Sequence, residues 1–347
     1  TALMLKKFTT LIMAIFILTL TGMILYENIN KPRILVLHSY SNDYVWTRQI
    51  NAGLDRVLGK VQGVDIRYHE MKTKKMSGKG YIDRAGIAAH YAIELIRPNV
   101  IVAIDDNAQK YVAKQYVNNP DIKIVFAGIN GSPEPYGYLE ANNVTGILER
   151  KPAVALSEVI LLLSENLGII GQKPKAIFLS DESHSTERDG GYLDSIDWVG
   201  VDYLGRHPKA TFDDWQSAVK NMKGEADFIL VGGYRKLHKS PGSAEFVNAK
   251  EVMTWTEANS PVPVIGMNTF NSEEGAMLSI GVSPYEQGEV AATMAIKLIE
   301  GVDIKSLPIQ TSSQYVVAVR KSALDARNIS IPEVFEAYAR ASNNYFN

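Results

Sequence analysis

Cysteine is absent from the 347 residues, which excludes disulfide staples and also the lipidated cysteine that anchors bacterial lipoproteins. The fold must stand on its hydrophobic core. Neither sign of charge is in excess: 36 basic and 38 acidic residues are spread along the chain for a formal net charge of -2, so there is no electrostatic footprint for nucleic acid. Catalytic signatures are missing too, with no G-x-S-x-G elbow, no P-loop and no H-E-x-x-H helix. The six histidines never fall at i, i+3 or i, i+4 spacing, so no helical metal pair is visible and no metal or cofactor is expected. Asp105-Asp106 and Asp213-Asp214 are sequence neighbours whose side chains point apart in a strand or helix, which is the wrong arrangement for an acid/base pair. No low-complexity tract or repeat period interrupts the chain.

A long apolar run is present at the amino end. Lys6 and Lys7 precede an uncharged stretch from Phe8 to Tyr26, 19 residues long and closed by Glu27. A membrane-spanning helix needs about 20 apolar residues, whereas the core of a cleaved signal peptide has about 7 to 15. The small-residue pattern that cleavage requires is poor around Thr21, Gly22, Met23 and Ile24. An uncleaved anchor is therefore expected, crossing the membrane through Phe8 to Tyr26. The leading lysines keep the amino terminus in the cytoplasm and deliver the rest to the periplasmic or extracellular side.

About 315 residues follow, enough for two domains. Apolar β-branched runs alternate with amphipathic segments in a βα pattern. Strands are expected at Ile34 to His38, Val64 to Tyr68, Val100 to Ile104 and Lys123 to Ala127. Helices are expected at Thr47 to Leu58, Tyr81 to Ile96 and Ala108 to Val117. After a Gly-, Pro- and Asn-rich break from Gly128 to Asn143 the pattern resumes, with helices at Pro152 to Leu163, Asp213 to Met222, Ala244 to Glu257 and Tyr285 to Glu300. The strands of this half are expected at Ala176 to Ser180, Gly200 to Leu204, Phe228 to Val231, Val262 to Gly266 and Met277 to Val282. Such alternation implies α/β lobes with doubly wound parallel sheets.

Ligands of open parallel sheets bind beyond the carboxyl ends of the strands. Those ends carry His38-Ser39-Tyr40, Asp105-Asp106-Asn107, Gly128-Ile129-Asn130, Asp181-Glu182-Ser183, Gly232-Gly233-Tyr234 and Met267-Asn268. Two sheets facing each other would make a cleft lined by hydroxyls, amides and helix-start N–H groups, with aromatic walls from Tyr40, Tyr44, Trp46 and Tyr234. The candidate ligand-binding residues are Ser39, Tyr40, Trp46, Asp106, Asn107 and Asn130 from the first lobe, met by Asp181, Ser183, Tyr234 and Asn268 from the second. For an amino-acid ligand, Asp181 is expected near the ammonium. Ser, Asp and Asn at such junctions also cap helices, and His38 at a strand end is commonly a hydrogen-bonded structural residue.

Four stretches carry a family resemblance. Ile34-Leu35-Val36-Leu37-His38-Ser39-Tyr40 with Trp46 and Gly53, and Pro98 to Asn107, resemble the branch used as extracellular sensor domains of bacterial histidine kinases. Val125 to Asn130 followed by Asn143 to Ile147, and Ser283 to Gly288 followed by Leu307-Pro308-Ile309, are similar to the ABC-transporter substrate-binding family. Together they span from about Arg33 to Pro332. The resemblance implies a type I periplasmic-binding-protein fold, two lobes joined by a three-crossover hinge. It sets an anchor at 1–30, a first lobe at 31–146 plus 278–310 and a second at 147–277 plus 311–347. It implies a small-molecule ligand, with amino acids associated with the wider family, and a membrane permease or membrane sensor protein as partner. The kinase-linked relatives continue into signalling domains; this sequence ends at Asn347, so signalling would go through a partner. Two other readings stay open, a ligand-sensing accessory of a membrane signalling system and an enzyme acting in the cleft.

Overall fold

The computed structural model describes residues 2–76 and 78–347. The amino-terminal run forms one helix, α1 (Ala2–Asn30), exposed along its described side chains. From Lys6 to Asn30 it is long and apolar enough to cross a membrane.

The first lobe begins two residues later with β1 (Arg33–His38), α2 (Val45–Leu58), β2 (Asp65–Glu70), α3 (Lys79–Ile96), β3 (Val100–Ile104), α4 (Asp105–Tyr111), β4 (Lys123–Ile129) and β5 (Val144–Leu148). The second lobe contains α5 (Ala153–Asn166), β6 (Lys175–Asp181), α6 (His184–Asp194), β7 (Asp202–Lys209), α7 (Phe212–Lys220) and β8 (Phe228–Val231). It continues with α8 (Ala249–Asn259), β9 (Val264–Gly266), α9 (Thr269–Glu274) and β10 (Leu278–Val282). The chain then returns to the first lobe for α10 (Pro284–Ile299) and β11 (Gln310–Thr311), and ends in the second with β12 (Tyr315–Arg320), α11 (Lys321–Ala326), α12 (Glu333–Ala341) and β13 (Tyr345–Phe346).

The first sheet has the order β11-β5-β4-β3-β1-β2, all parallel. The second is β13-β12-β10-β9-β8-β6-β7, parallel except where β12 runs antiparallel to β10. Residue alternation along the central strands feeds two cores per lobe. Leu35, Leu37, Ile101 and Phe126 face α3 and α4, whereas Ile34, Val36, Val102 and Val125 face α2 and α10. The second lobe repeats this, with Phe178 and Leu230 on one face and Ile177 and Ile229 on the other.

Sheet membership moves the expected lobe boundaries. β5 stays in the first sheet through Leu148, so that crossing lies at Glu149 to Lys151 rather than after Gly146. β10 pairs with β9 and β12, so it belongs to the second lobe and the return comes at Ser283 rather than at Leu278. The last crossing follows Thr311. The three connections are laced together. The Glu286 carboxylate accepts from Ser313 N, Ser313 Oγ and Gln314 N, and Ser312 Oγ accepts from Arg150 N at 2.9 Å.

Four helices escape the sequence pattern, α6, α9, α11 and α12, and β7 runs longer than Gly200 to Leu204. The expected helix from Ala108 begins at Asp105 and breaks after Tyr111 into a 3-10 turn at Ala113–Tyr116.

Candidate functional site: a charged cleft between the lobes

Strand β3 passes into α4 without a loop, and Asp105 takes a left-handed backbone at φ +65° to make the turn, a conformation that Asp tolerates better than most residues. Its side chain is 4% exposed. Oδ1 accepts from the Trp46 indole at 2.9 Å, and Oδ2 has no hydrogen-bond partner although it is buried. Burial pushes the Asp105 carboxyl well above the usual range, and neighbouring Glu149 adds to this. Beside it, Asp106 accepts from the Tyr136 hydroxyl at 2.7 Å and from Arg188 of α6, in the opposite lobe, at 3.1 Å.

The first crossover adds three consecutive charges, Glu149, Arg150 and Lys151. Arg150 donates to the carbonyls of Ile129 and Asn130 at 3.0 Å and of Gly131 at 2.8 Å, and its guanidinium faces the Tyr192 ring of α6. Lys151, 3% exposed, donates to Asn268 Oδ1 at 2.9 Å and lies 3.4 Å from Asp189 and 3.6 Å from Glu149. Burial opposes its charge, but Asp189 and Glu149 outweigh it and raise its pKa. Burial pushes Glu149 up to about 7 against the pull of Lys151, and raises Asp189 in the same way. Asn130, on the other side of the cleft, favours the ionised form of Asp189 against burial. Gly131 admits Arg188, since a Cβ there would stand 3.0 Å from its Nε.

Of the residues singled out from the sequence, Trp46, Asp106, Asn130 and Asn268 converge here. Tyr40 joins them: its ring meets Tyr44 edge to face, lies under the Lys74 ammonium, and its hydroxyl is raised by burial and by the charge of Asp105. Asn107 donates to Thr73 Oγ1 at 2.9 Å and braces a first-lobe loop.

Four others are engaged elsewhere. Ser39 is fully buried, donating to Ile104 O and accepting from Ala108 N, which ties β1 to α4. Asp181 is occupied by its own turn: Oδ1 accepts from Ser183 N, Ser183 Oγ and Thr186 Oγ1, and Oδ2 from Lys236 N. Both of its oxygens are thus engaged within its own lobe. Ser183 serves that same turn. Tyr234 is a core residue, packed against Trp215 and bonded to Glu274 and Asn271. His38, held by Asn51 at 2.7 Å and lowered to about 4 by burial, is neutral and structural.

Sequence reasoning missed Asp105, Glu149, Lys151, Arg188 and Asp189 as a set. Three adjacent charges after the apolar strand Val144–Leu148 were a usable signal; Arg188 and Asp189 had none, because their helix was not read. Among the described residues no group of three or more His, Cys, Asp and Glu is placed to hold a metal ion.

Two facing lobes joined by three laced crossovers are the architecture of the type I periplasmic-binding-protein fold. Residues 209–342, which include much of the second lobe together with α10 and β11, match the family model described as ABC transporter substrate binding protein. That match covers somewhat over a third of the chain, and it is a likeness of the second lobe and its returning crossovers to that family.

Solved structures agree on the fold. A conserved domain protein from Vibrio cholerae shares 17% identity and a TM-score of 0.57, over 92% of this chain and 100% of that one. An ABC domain from Streptococcus pneumonia in complex with L-Trp shares 18% at a TM-score of 0.58, over 89% and 98%. The ligand-free, open form of a substrate-binding protein with adhesive properties from Clostridium difficile shares 16% at 0.60, over 87% and 96%. No curated protein matches the chain.

Proposed function

We propose that this chain is the solute-binding component of an ABC transporter on the outer side of the membrane, and that it closes its lobes on a small ligand carrying a cationic group, an amino acid or a similar compact amine. The observation that carries the reading is the buried, unpartnered Oδ2 of Asp105. Around it, Asp105, Asp106, Glu149 and Asp189 bring four carboxyls together, whereas three of the nearby cations are engaged by polar groups, Arg150 by carbonyls, Arg188 by Asp106 and Lys151 by Asn268, Asp189 and Glu149, and the fourth, Lys74, rests over the Tyr40 and Tyr44 rings. An ammonium at Asp105 would satisfy the free oxygen and favour the ionised carboxyl. Trp46 supplies an aromatic surface on which a cation or an apolar side chain rests. Closure follows if the ligand binds the closed form more tightly than the open one, and a membrane permease reads the changed outer surface.

The test is a thermal-shift screen of the full chain in detergent against amino acids, simple amines, carboxylates and sugars. A rise confined to ammonium-bearing compounds, lost in Asp105→Asn, supports the reading. Asn at this position keeps the acceptor for Trp46, and the loss of a charged hydrogen bond costs about 1.5–3 kcal/mol of binding. Stabilisation by sugars or carboxylates alone, unchanged in Asp105→Asn, would overturn the ligand assignment.

A further inference from the structure

The apolar run Phe8 to Tyr26 is 19 residues long, which as a helix spans about 28 Å, close to the ~30 Å hydrocarbon layer. The last turn of α1, Glu27 to Asn30, adds about 6 Å, comparable to the ~5–7 Å of one headgroup layer. Only Lys31 and Pro32 then separate α1 from β1, a reach of about 7 Å.

That short tether is pinned at its far end. Pro32 O accepts from Asp65 N at 2.8 Å, and Arg33 N donates to Asn99 Oδ1 at 2.9 Å. The Arg33 guanidinium donates both to Ile29 O of α1 and to Ile96 O of α3, each at 3.3 Å. With α1 in a bilayer, the carboxyl end of α3 is held at headgroup level.

This end of α3 carries an apolar face that no described residue of the lobe covers. Leu95 is 86% exposed, and Tyr91, one turn earlier on the same face, is 69% exposed. Exposed Arg97 follows, with half-buried Lys31 and Arg33 alongside the tether, and the acids among them are Glu94 and, in the last turn of α1, Glu27. An isolated exposed leucine needs no explanation in water. Leucine, tyrosine and cations fixed beside a membrane exit have the composition of an interfacial contact, in which the aromatic ring lies at headgroup depth and cations reach phosphates.

We infer that the lower end of the first lobe rests on the bilayer surface, with Leu95 at the hydrocarbon boundary and Arg97 and Lys31 among lipid phosphates. The inference rests on α1 being kept as an anchor. Its consequence is a fixed orientation. The six residues of β1 rise about 3.3 Å each, so the cleft at the strand carboxyl ends stands about 20 Å above the headgroups.

The absence of cysteine makes the test clean. Leu95→Cys and, as a second-lobe control, Val334→Cys (66% exposed in the parent) are placed singly in the full chain. Labelling by a water-soluble maleimide is compared in detergent and in nanodiscs of mixed zwitterionic and anionic lipid. A several-fold loss of labelling of the Leu95→Cys chain on entering the bilayer, with the Val334→Cys chain unchanged, is expected. Equal labelling of both variants in nanodiscs would overturn the seat while leaving the ligand reading intact. The mass of the chain recovered from cell membranes checks the anchor: a chain lacking the residues before Asn30 would also overturn the inference.

Discussion

Asp105 shows how backbone and side chain are set together. The left-handed turn lets β3 run directly into α4, and the same turn aims the carboxyl at Trp46 and away from water. Glu149 contributes to the pH dependence of this cluster, beside the raised Asp105 and Asp189. Its folded pKa of about 7 lies above the ordinary 4.5, so the folded chain binds this proton more tightly than the unfolded one. The stability it contributes is complete below about pH 4.5 and is lost as pH rises through about 7. In Glu149→Gln the melting temperature should vary less across that window, read by thermal melts at stepped pH. A cation bound nearby favours the ionised form, so an amine ligand should bind more weakly below about pH 7 than above it and expel a proton. Calorimetry in buffers of different ionisation enthalpy reads that proton directly. His38 was legible as a junction histidine, but its neutrality depends on burial that only the packed lobe provides.

At the scale of elements, α2 and α10 cross so closely that glycine is required on both. A Cβ at Gly288 would stand 2.2 Å from Ile50 O and 2.7 Å from Leu54 N, and one at Gly53 would stand 2.2 Å from Tyr285 O. These contacts are backbone, which cannot rotate aside. Gly288→Ala should cost about 1–3 kcal/mol, as overpacking does. Gly191→Ala, where nothing lies within 4 Å, should be neutral or slightly stabilising through helix propensity. Denaturant melts of the two variants make the comparison. α6 shows no apolar periodicity in the sequence, because a polar run from His184 to Asp189 is followed by Gly190-Gly191. It forms because Gly190 lets the helix lie against Arg206 and Phe178, where a Cβ would come within 2.3 Å of Arg206 Cδ. Missing α6 meant missing Arg188 and Asp189.

For the molecule as a whole, Arg188 and Asp106 form an ion pair that runs from one lobe to the other across the cleft, and Asn130 acts on Asp189 in the same way. Arg188→Ala removes the ion pair, although Asp106 keeps the Tyr136 hydroxyl. The ligand-free variant should show a longer mean distance between spin labels on the two lobes. It should also bind ligand more weakly, because the closed form is less populated. An unchanged distance distribution would mean that the remaining contacts suffice. Two labels on the exposed surfaces of α3 and α12 would report this without touching the cleft.

The sequence by itself determined the amino-terminal apolar helix, the two βα-alternating halves and most strand cores, because these follow from local periodicity: Val100–Ile104 and Phe228–Val231 lie where the apolar runs put them. The motif resemblance also pointed to two lobes and a three-crossover hinge. Tertiary structure decided which sheet β10 joins, which strand-end polar residues are engaged by their own turns, and which charges meet in the cleft. Lys151 and Asn268 are 117 positions apart, and Asp106 and Arg188 come from different lobes. No window of sequence contains such pairs, whereas burial and hydrogen-bond geometry select them once the sheets have closed on each other.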